Sequence, residues 1–402
     1  MKRVNNIWKD VIDRDKGFAC LVDGTKNKRG KREVKRLLYS GEKLSKDKTK
    51  WHLIDPEKGK PYVEMLCHSL ESKTWVHKKP KYKRQYCRNR ASSRGKWRDL
   101  YIPCLDDHII HHMVMNGSMD AFMRGMHPHC CGSVPNKGIK HVIKTVSRWM
   151  KTDKQCRYFA KLDIVHFFDN IDAEILKQKL RRKIKDKDVL WSHDQIIDSA
   201  PVACPVGYYP SPWYANLYLE ELDWFVEQRL FKERRGKRIK YVRHYLRYVD
   251  DILLIGTSKK DLEKAIREII KYLDNNFGLS IKKTWEIKKI GKHELIDGKW
   301  KLKSGTYWCD IGGYKFCKDS TVMRDGVYLS TKRLARNMSK GDYYTEHQCQ
   351  SINAKIAWAK QCDSGKFLEN EILPYIDIKT TRRILSDVEK RRKQRKYNAE
   401  CH

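Results

Sequence analysis

The sequence predicts a mixed α/β fold with an antiparallel sheet and a helical C-terminal region, and three features lead to this prediction. Two stretches of β-prone apolar residues end in carboxylates, at Asp163 and at the pair Asp250 and Asp251. Apolar residues recur at helical spacing before the first stretch, over residues 139–150, and after the second, over residues 261–277. From residue 330 onward the chain is basic and helical in pattern. The 402 residues can form one large core or two to three smaller ones.

The segment 247–256 reads Arg-Tyr-Val-Asp-Asp-Ile-Leu-Leu-Ile-Gly and predicts a hairpin whose second arm is a buried strand. Side chains alternate across a strand, so Asp250 and Asp251 share a face only if a turn redirects one of them. Unpaired acids beside an apolar sheet repel each other unless a cation is bound between them. The segment therefore indicates either a metal site or a turn that merely ends a strand.

A second strand ends at Asp163 and is followed by an aromatic pair and a polar helix start. Two such strand ends, placed side by side, would put Asp163 and Asp250 around oxygen-seeking cations. Mg²⁺ prefers one or two carboxylates together with substrate phosphates. The pattern is typical of two-metal phosphoryl transfer.

The charge balance predicts a polyanionic partner. There are 86 lysines and arginines against 50 aspartates and glutamates, a formal net charge of +36, which is far more than solubility requires. Basic runs lie at 26–36, 43–50 and 78–90, the last with Tyr82 and Tyr86 interleaved. Residues 1–90 are therefore predicted to form a basic N-terminal extension that contacts RNA, with a solvated surface as the alternative.

The sequence has no run of 18 apolar residues and no apolar signal region near residue 1, so we expect no membrane association and a cytoplasmic location. The 13 cysteines are odd in number and show no repeated Cys-x-x-Cys spacing, which favours free thiols. The segment 127–131 contains His127, His129, Cys130 and Cys131. These four are too crowded to surround one zinc ion, and no second pair follows at a suitable spacing, so a zinc site is not expected there.

In their order and spacing, the motifs over residues 95–314 resemble those of the bacterial, group II intron-like reverse transcriptases. Residues 248–251 resemble the family's YxDD box, Asp163 its first metal-binding acid, and Phe168 the aromatic gate that rejects a 2′-hydroxyl. The resemblance implies a right-hand polymerase with fingers at 91–155, a palm at 156–325 and a helical thumb with a basic tail at 326–402. It implies two Mg²⁺ ions, with Mn²⁺ as an alternative, held by Asp163, Ile164, Asp250 and Asp251.

The same resemblance implies the roles of the substrate-binding residues. Lys96 and Arg98 match a Gly-Lys-x-Arg motif that holds the triphosphate, and residues 204–219 match a loop and helix that contact the template base and the nucleotide. The implied nucleotide-binding residues are Lys96, Arg98, Phe168, Val206, Gly207 and Lys283. The implied template-binding or primer-binding residues are Ser211, Pro212, Asn216, Tyr248, Gly313 and Tyr314. Two departures from the family pattern are Val134, where many relatives have arginine, and Val206, where glutamine is frequent.

The resemblance thus predicts an RNA-directed DNA polymerase that makes cDNA from an RNA template, a DNA or RNA primer and dNTPs. Val206 and the Tyr-Ala-Asn-Leu-Tyr sequence at 214–218 favour the low-fidelity enzymes of diversity-generating retroelements, which work with an accessory protein, whereas Ser211-Pro212 departs from their Ser-Gln. A phage-defence reverse transcriptase that copies a dedicated, structured non-coding RNA is one alternative. A template-independent DNA polymerase and a non-catalytic RNA-binding scaffold are the others.

Overall fold

The computed structural model describes residues 3–38, 53–87, 95–296 and 299–400; the predicted basic run at 43–50 and residues 88–90 of the last run lie outside them. The first elements are α1 (Trp8–Val11), α2 (Arg14–Thr25), α3 (Arg32–Lys35), α4 (Pro56–Glu71), β1 (Lys81–Cys87), β2 (Lys96–Ile102), α5 (Leu105–Met123) and α6 (Ile139–Thr152). The middle of the chain forms β3 (Tyr158–Asp163), α7 (Ala173–Lys183), α8 (Lys187–Asp198), α9 (Ser211–Tyr218), α10 (Glu220–Gln228), β4 (Phe231–Arg234), β5 (Lys237–Lys240), β6 (His244–Tyr248), β7 (Asp251–Gly256) and α11 (Lys259–Phe277). The last elements are β8 (Ile287–Lys289), β9 (His293–Ile296), β10 (Lys299–Leu302), β11 (Cys309–Ile311), β12 (Tyr314–Phe316), β13 (Thr321–Met323), α12 (Asp325–Met338), α13 (Glu346–Ala359), α14 (Gly365–Glu371), a 3₁₀ turn (Leu373–Tyr375) and α15 (Ile378–Glu400).

The central sheet is antiparallel and has the strand order β6-β7-β3-β8. It separates two hydrophobic cores, because side chains alternate between the faces of a strand. In β7, Ile252 and Leu254 enter the first core, whereas Leu253 and Ile255 enter the second. This arrangement explains why the predicted strand is a continuous apolar run, since both of its faces are buried.

The first core is covered by α11 and by the N-terminal helices. Helix α11 contributes an apolar stripe that includes Leu262, Ile266 and Ile269, and it ends at Gly278, which adopts a left-handed conformation with φ +61°. The sequence predicted this helix over residues 261–277, and the observed helix is two residues longer at its start.

Helix α5 lies at the centre of the N-terminal part of the first core. It buries Ile109, Ile110, Met113 and Val114 completely. Helices α2 and α4 pack together and contribute Leu21, Val63 and Leu70 to the same core.

The expected boundary between an N-terminal extension and the fingers, at residue 90, divides the β1–β2 hairpin, because the paired strands lie on either side of it. Helices α2 and α4 also share the core of α5. The N-terminal helices are therefore an integral part of the fold.

The second core lies between the central sheet, α6, the small sheet β11-β12-β13 and the C-terminal helices. Helix α6 was predicted over residues 139–150 and is observed over Ile139–Thr152. The predicted helical C-terminal region is confirmed as α12 to α15, which follow β13 directly. The mixed fold, the antiparallel sheet and the helical end of the chain thus agree with the sequence prediction.

The twelve cysteines in the described ranges are free thiols, and nine of them are buried. No helix within those ranges combines the length and apolar character needed to cross a membrane.

Candidate active site

The β6–β7 hairpin has a tight turn with an unusual backbone conformation. Tyr248 pairs with Asp251 across the hairpin, so Val249 and Asp250 form a two-residue turn. Val249 has φ +59°, a left-handed conformation that β-branched residues rarely adopt. This turn provides the change of direction that Asp250 and Asp251 need in order to share one face of the sheet.

Strand register brings the third acid to the same place. Asp163, the last residue of β3, lies directly opposite Asp251, the first residue of β7. Asp250 is half-buried; burial raises its pKa above the usual range, and the negative charges of Asp251 and Asp163 raise it further. The three acids that the sequence predicted to act together are therefore gathered at one end of the central sheet.

Two lysines contact these acids. The ammonium of Lys282 lies 2.6 Å from Asp163 Oδ2, and that of Lys161 lies 3.0 Å from Asp251 Oδ1. Sequence reasoning did not name Lys282; it named Lys283 as a nucleotide-binding residue, and that role of the exposed Lys283 stays a prediction. Lys161 was missed, although it precedes Asp163 by two residues on the same strand and so shares its face.

This donor set fits a divalent cation. Carboxylate oxygens are the ligands that hard cations prefer, and the two ammonium groups show that positive charge is stabilised here. Asp163 and Asp251 each contact a lysine ammonium, so a cation bound by these acids would replace those contacts.

Ile164, which the resemblance assigned to the metal site, has a buried side chain. It forms an isolated bridge with Ile281, in which the Val165 N–H donates to Ser280 and the Asp163 carbonyl accepts from Lys282. The carbonyl of Ile164 takes part in neither bond. Its assignment as a ligand stays a prediction.

An open cavity of about 310 Å³ adjoins Asp163. It lies between the β3–β8 edge of the central sheet and the segment that leads into β11. Its wall combines cations, acids and two tryptophans, and its lining residues are Phe159, Lys161, Asp163, Lys282, Thr284, Trp285, Glu286, Lys288, Trp308 and Asp310.

A buried polar network supports the hairpin from below, and sequence reasoning did not find it. Arg247 is fully buried and forms a two-pronged ion pair with Asp223, with Nε–Oδ1 and Nη2–Oδ2 distances of 2.7 Å each. Its Nη1 donates to the Val249 carbonyl at 3.0 Å and to Asn216 Oδ1 at 3.2 Å. The hydroxyl of Tyr245 donates to Asp223 at 2.6 Å. Arg247 thus fixes the carbonyl of the strained turn residue that precedes Asp250.

The segment 127–131 packs against this network. The backbones of Cys130 and Arg247 form an isolated parallel β-bridge. The Cys130 thiol donates a hydrogen bond to Asn216 Oδ1 at 3.4 Å. The His127 ring stands edge-on to Trp224 and Tyr245, with centroid distances of 5.1 and 5.6 Å. The residues of this segment therefore help to support the hairpin.

The helix α9 residues implied in template or nucleotide contact are committed to internal bonds. Ser211 is buried, and its hydroxyl donates to the Pro205 carbonyl at 2.7 Å. Asn216 is also buried, and its amide donates to the Gly132 carbonyl at 2.7 Å. Pro212 is half-buried in the first turn of the helix. Ser211 and Asn216 thus shape the loop and the helix, and the template or nucleotide contacts implied for the three residues stay predictions.

Gly207, one of the implied nucleotide-binding residues, makes a close contact with the backbone of β2. Its φ is +117°, and a Cβ atom there would lie 2.4 Å from the Tyr101 carbonyl oxygen. The neighbouring Val206 is half-buried, and its carbonyl accepts from the Tyr101 N–H at 2.8 Å. Gly207 is thus required for packing against β2.

Lys96 and Arg98 are exposed on β2, opposite Cys87 and Gln85 of β1. The β1–β2 hairpin is a separate two-stranded sheet. Phe168 is half-buried and packs on the first core, with its ring 5.5 Å from that of Phe167. The nucleotide-binding roles of these residues stay predictions.

The hairpin between β11 and β12 packs against the C-terminal helices. Gly313 has φ +88°, and a Cβ atom there would approach the Trp358 ring at 3.1 Å. Tyr314 is buried, and its hydroxyl donates to the Trp358 carbonyl at 3.2 Å. Their implied contact with the primer end also stays a prediction, as does that of Tyr248, which is half-buried beside the acids.

The acids at the end of an antiparallel sheet, with a helical region following it, define the palm site of a right-hand polymerase. A family model described as "Reverse transcriptase (RNA-dependent DNA polymerase)" matches residues 76–288, more than half of the chain. The chain belongs to this family, whose members are RNA-directed DNA polymerases that use divalent metal ions, an RNA template and a primer.

Several known proteins are similar to this chain. It is 23% identical over 316 residues to the Retron Ec73 reverse transcriptase of Escherichia coli, a match that covers 74% of this chain and 90% of that protein. It is 26% identical over 209 residues to protein YkfC of Escherichia coli K12, covering 44% and 55%. It is 27% identical over 242 residues to the group II intron-encoded protein LtrA of Lactococcus lactis, covering 56% and 38%. The chain thus spans most of the retron enzyme but about half or less of the other two proteins.

Among solved structures, telomerase from Candida albicans in complex with a fragment of telomeric RNA matches with a TM-score of 0.43 and 10% identity. The match covers 81% of this chain and 60% of that one.

Proposed function

We propose that this chain makes cDNA on an RNA template by two-metal nucleotidyl transfer. The observation that carries the proposal is the convergence of Asp163, Asp250 and Asp251 at one end of the central sheet. These acids, with Ile164, would hold two Mg²⁺ ions, with Mn²⁺ as an alternative. The bound ions would activate the primer 3′-hydroxyl and neutralise the triphosphate and the leaving pyrophosphate.

The lysines of the site balance its negative charge before the substrate arrives. Lys282 and Lys161 are each more than a third exposed and contact the acids at 2.6 and 3.0 Å. Exposed ion pairs of this kind are weak, at most about 1 kcal/mol. Both ammonium groups are therefore free to move to phosphate oxygens when a nucleotide binds.

Charge and exposed rings support nucleic acid as the partner. The formal charge of +36 favours binding to phosphate backbones. The β1–β2 hairpin exposes Tyr82, Tyr86 and Trp97 by 55%, 46% and 56%, and exposed rings among cations suit stacking on bases. In this proposal the hairpin carries Lys96 and Arg98 toward the triphosphate.

The remaining assignments follow the family resemblance. Residues 91–155, together with the paired strand β1, form the fingers, 156–325 the palm and 326–402 the thumb and tail, and the rest of residues 1–90 contributes RNA contacts. Phe168 excludes ribonucleotides by shape. The free thiols suit a reducing compartment, and we expect the enzyme to act in the cytoplasm.

Two biological settings have support from different observations. Val206 and the Tyr-Ala-Asn-Leu-Tyr sequence of α9 favour a diversity-generating retroelement with low fidelity and an accessory protein. The match to a retron reverse transcriptase, which covers 90% of that relative, favours the second candidate, a defence-type enzyme that copies a dedicated non-coding RNA.

The test is primer extension on a defined RNA template with four dNTPs and Mg²⁺, followed by sequencing of the products. Asp250→Asn is expected to abolish synthesis while RNA binding stays nearly unchanged, because positioning and charge account for most of the catalysis. The matched control is Asp342→Asn, which removes an exposed acid between α12 and α13 and is expected to retain activity.

The pattern of products separates the candidates. Templated DNA with errors clustered opposite adenines supports the diversity-generating setting, and accurate templated DNA supports the retron-like one. Homopolymer made without a template would replace the proposal with a template-independent polymerase. Loss of both synthesis and RNA binding in Asp250→Asn would contradict the assigned role of this acid.

A further inference from the structure

A second group of ligand-type side chains lies away from the acids, at a corner between two small sheets. His293 is the first residue of β9, Cys317 follows β12, and Asp319 lies in the turn before β13. One atom from each side chain faces the same point: Nδ1 of His293, Sγ of Cys317 and Oδ1 of Asp319. Neither the family resemblance nor the proposed polymerase site uses these three residues.

The distances among these atoms suit a metal ion of zinc type. Nδ1 and Oδ1 are 2.9 Å apart, Sγ and Oδ1 are 3.0 Å apart, and Sγ and Nδ1 are 3.8 Å apart. Ligands of a tetrahedral zinc ion, at bond lengths of about 2.0–2.3 Å, lie about 3.3–3.6 Å from one another. Shifts of less than about half an ångström would therefore bring all three atoms to bonding distance.

The backbone around the cluster is already held in place. The His293 N–H donates to the second carboxylate oxygen of Asp319 at 2.9 Å. The Cys317 N–H donates to the Ser320 carbonyl, and the Lys318 N–H to the Gly291 carbonyl, both at 2.9 Å. These bonds connect the start of β9 with the β12–β13 turn, so an ion would find its ligands pre-positioned.

The burial of the three side chains is uneven in a way that suits an open metal site. Cys317 is fully buried, whereas the side chains of His293 and Asp319 are 22% and 32% exposed. The Trp308 ring stands 5.3 Å from the imidazole and covers one side. A thiolate, an imidazole and a carboxylate form a ligand set that zinc accepts, and the exposed side leaves room for water as the fourth ligand.

A second cluster of the same residue types provides a contrast. Asp153, Cys156 and His244 also bring their ligand atoms close together. There, however, the Arg243 guanidinium already contacts the Asp153 carboxylate at 2.8 Å. The two thiols do not differ in this way, since Cys156 donates to the Trp149 carbonyl at 3.4 Å and Cys317 to the Ser320 carbonyl at 3.3 Å. A cation entering that cluster would have to displace the Arg243 guanidinium from Asp153. Neither His293, Cys317 nor Asp319 has a lysine or arginine ion-pair partner in the described part of the chain.

We propose that His293, Cys317 and Asp319 bind one Zn²⁺ ion. The ion would fasten the β9–β10 hairpin to the β11-β12-β13 sheet, because its ligands come from both. That sheet carries Gly313 and Tyr314 and packs against α13. The zinc site would therefore stiffen the link between the β9–β10 hairpin and the C-terminal helices.

The test is metal binding to the full-length protein. The protein is stripped with a chelator, reloaded with Zn²⁺ in the presence of excess Mg²⁺, dialysed and analysed for bound metal by mass spectrometry. We expect one equivalent of zinc in the wild type and in Asp250→Asn, whose altered acid belongs to the active site. Co²⁺ loading is expected to give the charge-transfer absorption of a cobalt–thiolate bond.

Variants assign the site. His293→Ala and Cys317→Ser are expected to lose the bound zinc, and Cys317→Ser the cobalt–thiolate band, whereas the matched control Cys156→Ser keeps both. Because Cys317 is a core residue, His293→Ala, which changes a partly exposed side chain, keeps the test valid if Cys317→Ser does not fold. Zinc should raise the melting temperature of the wild type and of Cys156→Ser but not that of His293→Ala. Absence of bound zinc in the wild type, or an unchanged zinc content in folded His293→Ala, would overturn the proposal.

Discussion

Ion pairs lie both below and at the tip of the β6–β7 hairpin, and they differ in burial. Below the turn, Arg247 and Asp223 are both fully inaccessible to solvent. At the tip, the Asp163–Lys282 pair has side chains 39% and 45% exposed, and the Asp251–Lys161 pair 34% and 35%. The two regions use the same kinds of charge within a few residues of each other.

The difference in burial indicates different tasks. A buried ion pair is costly to break, because the group left behind stays charged without a partner. The buried pair is also tied into a network with Asn216, Tyr245 and the Val249 carbonyl, so it can hold the strained turn in one conformation. The exposed pairs gain little from their attraction and exchange partners readily. The hairpin thus combines a fixed base with acids that can take up new ligands.

The largest effect is expected from breaking the buried pair. Arg247→Met leaves Asp223 charged and without its partner, which should lower the free energy of unfolding by about 3–5 kcal/mol. Denaturant unfolding measures the change. Arg243→Met is the matched control, because Arg243 forms a half-exposed ion pair with Asp153 and should cost no more than about 1 kcal/mol.

A double variant tests the reason for that loss. Arg247→Met combined with Asp223→Asn replaces the unpaired charge with a neutral amide, so part of the lost stability should return. Equal losses in Arg247→Met and Arg243→Met would show that burial does not distinguish the two pairs.

An intermediate effect is expected from displacing the turn while leaving the ion pairs intact. A Cβ atom on Gly132 would lie 2.4 Å from Val249 Cγ2 and 2.8 Å from the Val249 backbone nitrogen. Gly132→Ala should therefore shift the hairpin, at a cost of about 1–3 kcal/mol in stability. Misplacement of reacting groups by about 1 Å can reduce rates about 100-fold, so primer extension should fall much more than stability does.

Gly365→Ala is the matched control for that variant, because no atom lies within 4 Å of the added Cβ position. It should leave both stability and extension close to wild type. Full activity in Gly132→Ala would mean that the hairpin tolerates movement and that its buried base has no role in positioning Asp250.

The contrast between the two regions also explains what the sequence could predict. Asp163, Asp250 and Asp251 were found because each lies at one end of a β-prone run, which is a local signal. Arg247 and Asp223 are 24 residues apart, and Gly132 meets Val249 across more than 100 residues. No periodicity relates such positions, so only the fold reveals the network. The same limit explains the expected boundary at residue 90, which a basic composition suggested and strand pairing does not respect.

Sequence reasoning missed Lys282 because it could not tell which of two adjacent lysines faces the acid. Sequence reasoning named only Lys283, the second of the two lysines that follow Ile281, and neighbouring residues in an extended segment point in opposite directions. The backbone bond from the Lys282 N–H to the Asp163 carbonyl, at 2.9 Å, decides which of the two side chains reaches the acid. If this backbone register were shifted by one residue, the side chain of Lys283 would reach the acid instead.

The smallest effect is expected from removing an exposed pair at the tip. Lys282→Ala should change the free energy of unfolding by less than about 1 kcal/mol, because the pair is nearly half exposed. Its ammonium lies 2.6 Å from a predicted metal-ligand oxygen, so it competes with Mg²⁺ for Asp163. The Mg²⁺ concentration that gives half-maximal primer extension should therefore fall, by at most about fivefold for a competing pair of this strength.

Lys283→Ala separates the two lysines in the same assay. Lys283 is exposed and is predicted to bind the nucleotide, so its removal should slow extension without changing the Mg²⁺ requirement. A higher Mg²⁺ requirement in Lys282→Ala would mean that the ammonium helps to assemble the site and does not compete for it. Equal changes of the Mg²⁺ requirement in both variants would mean that the general loss of positive charge causes them. Lys282 would then not be a specific, exchangeable partner of Asp163.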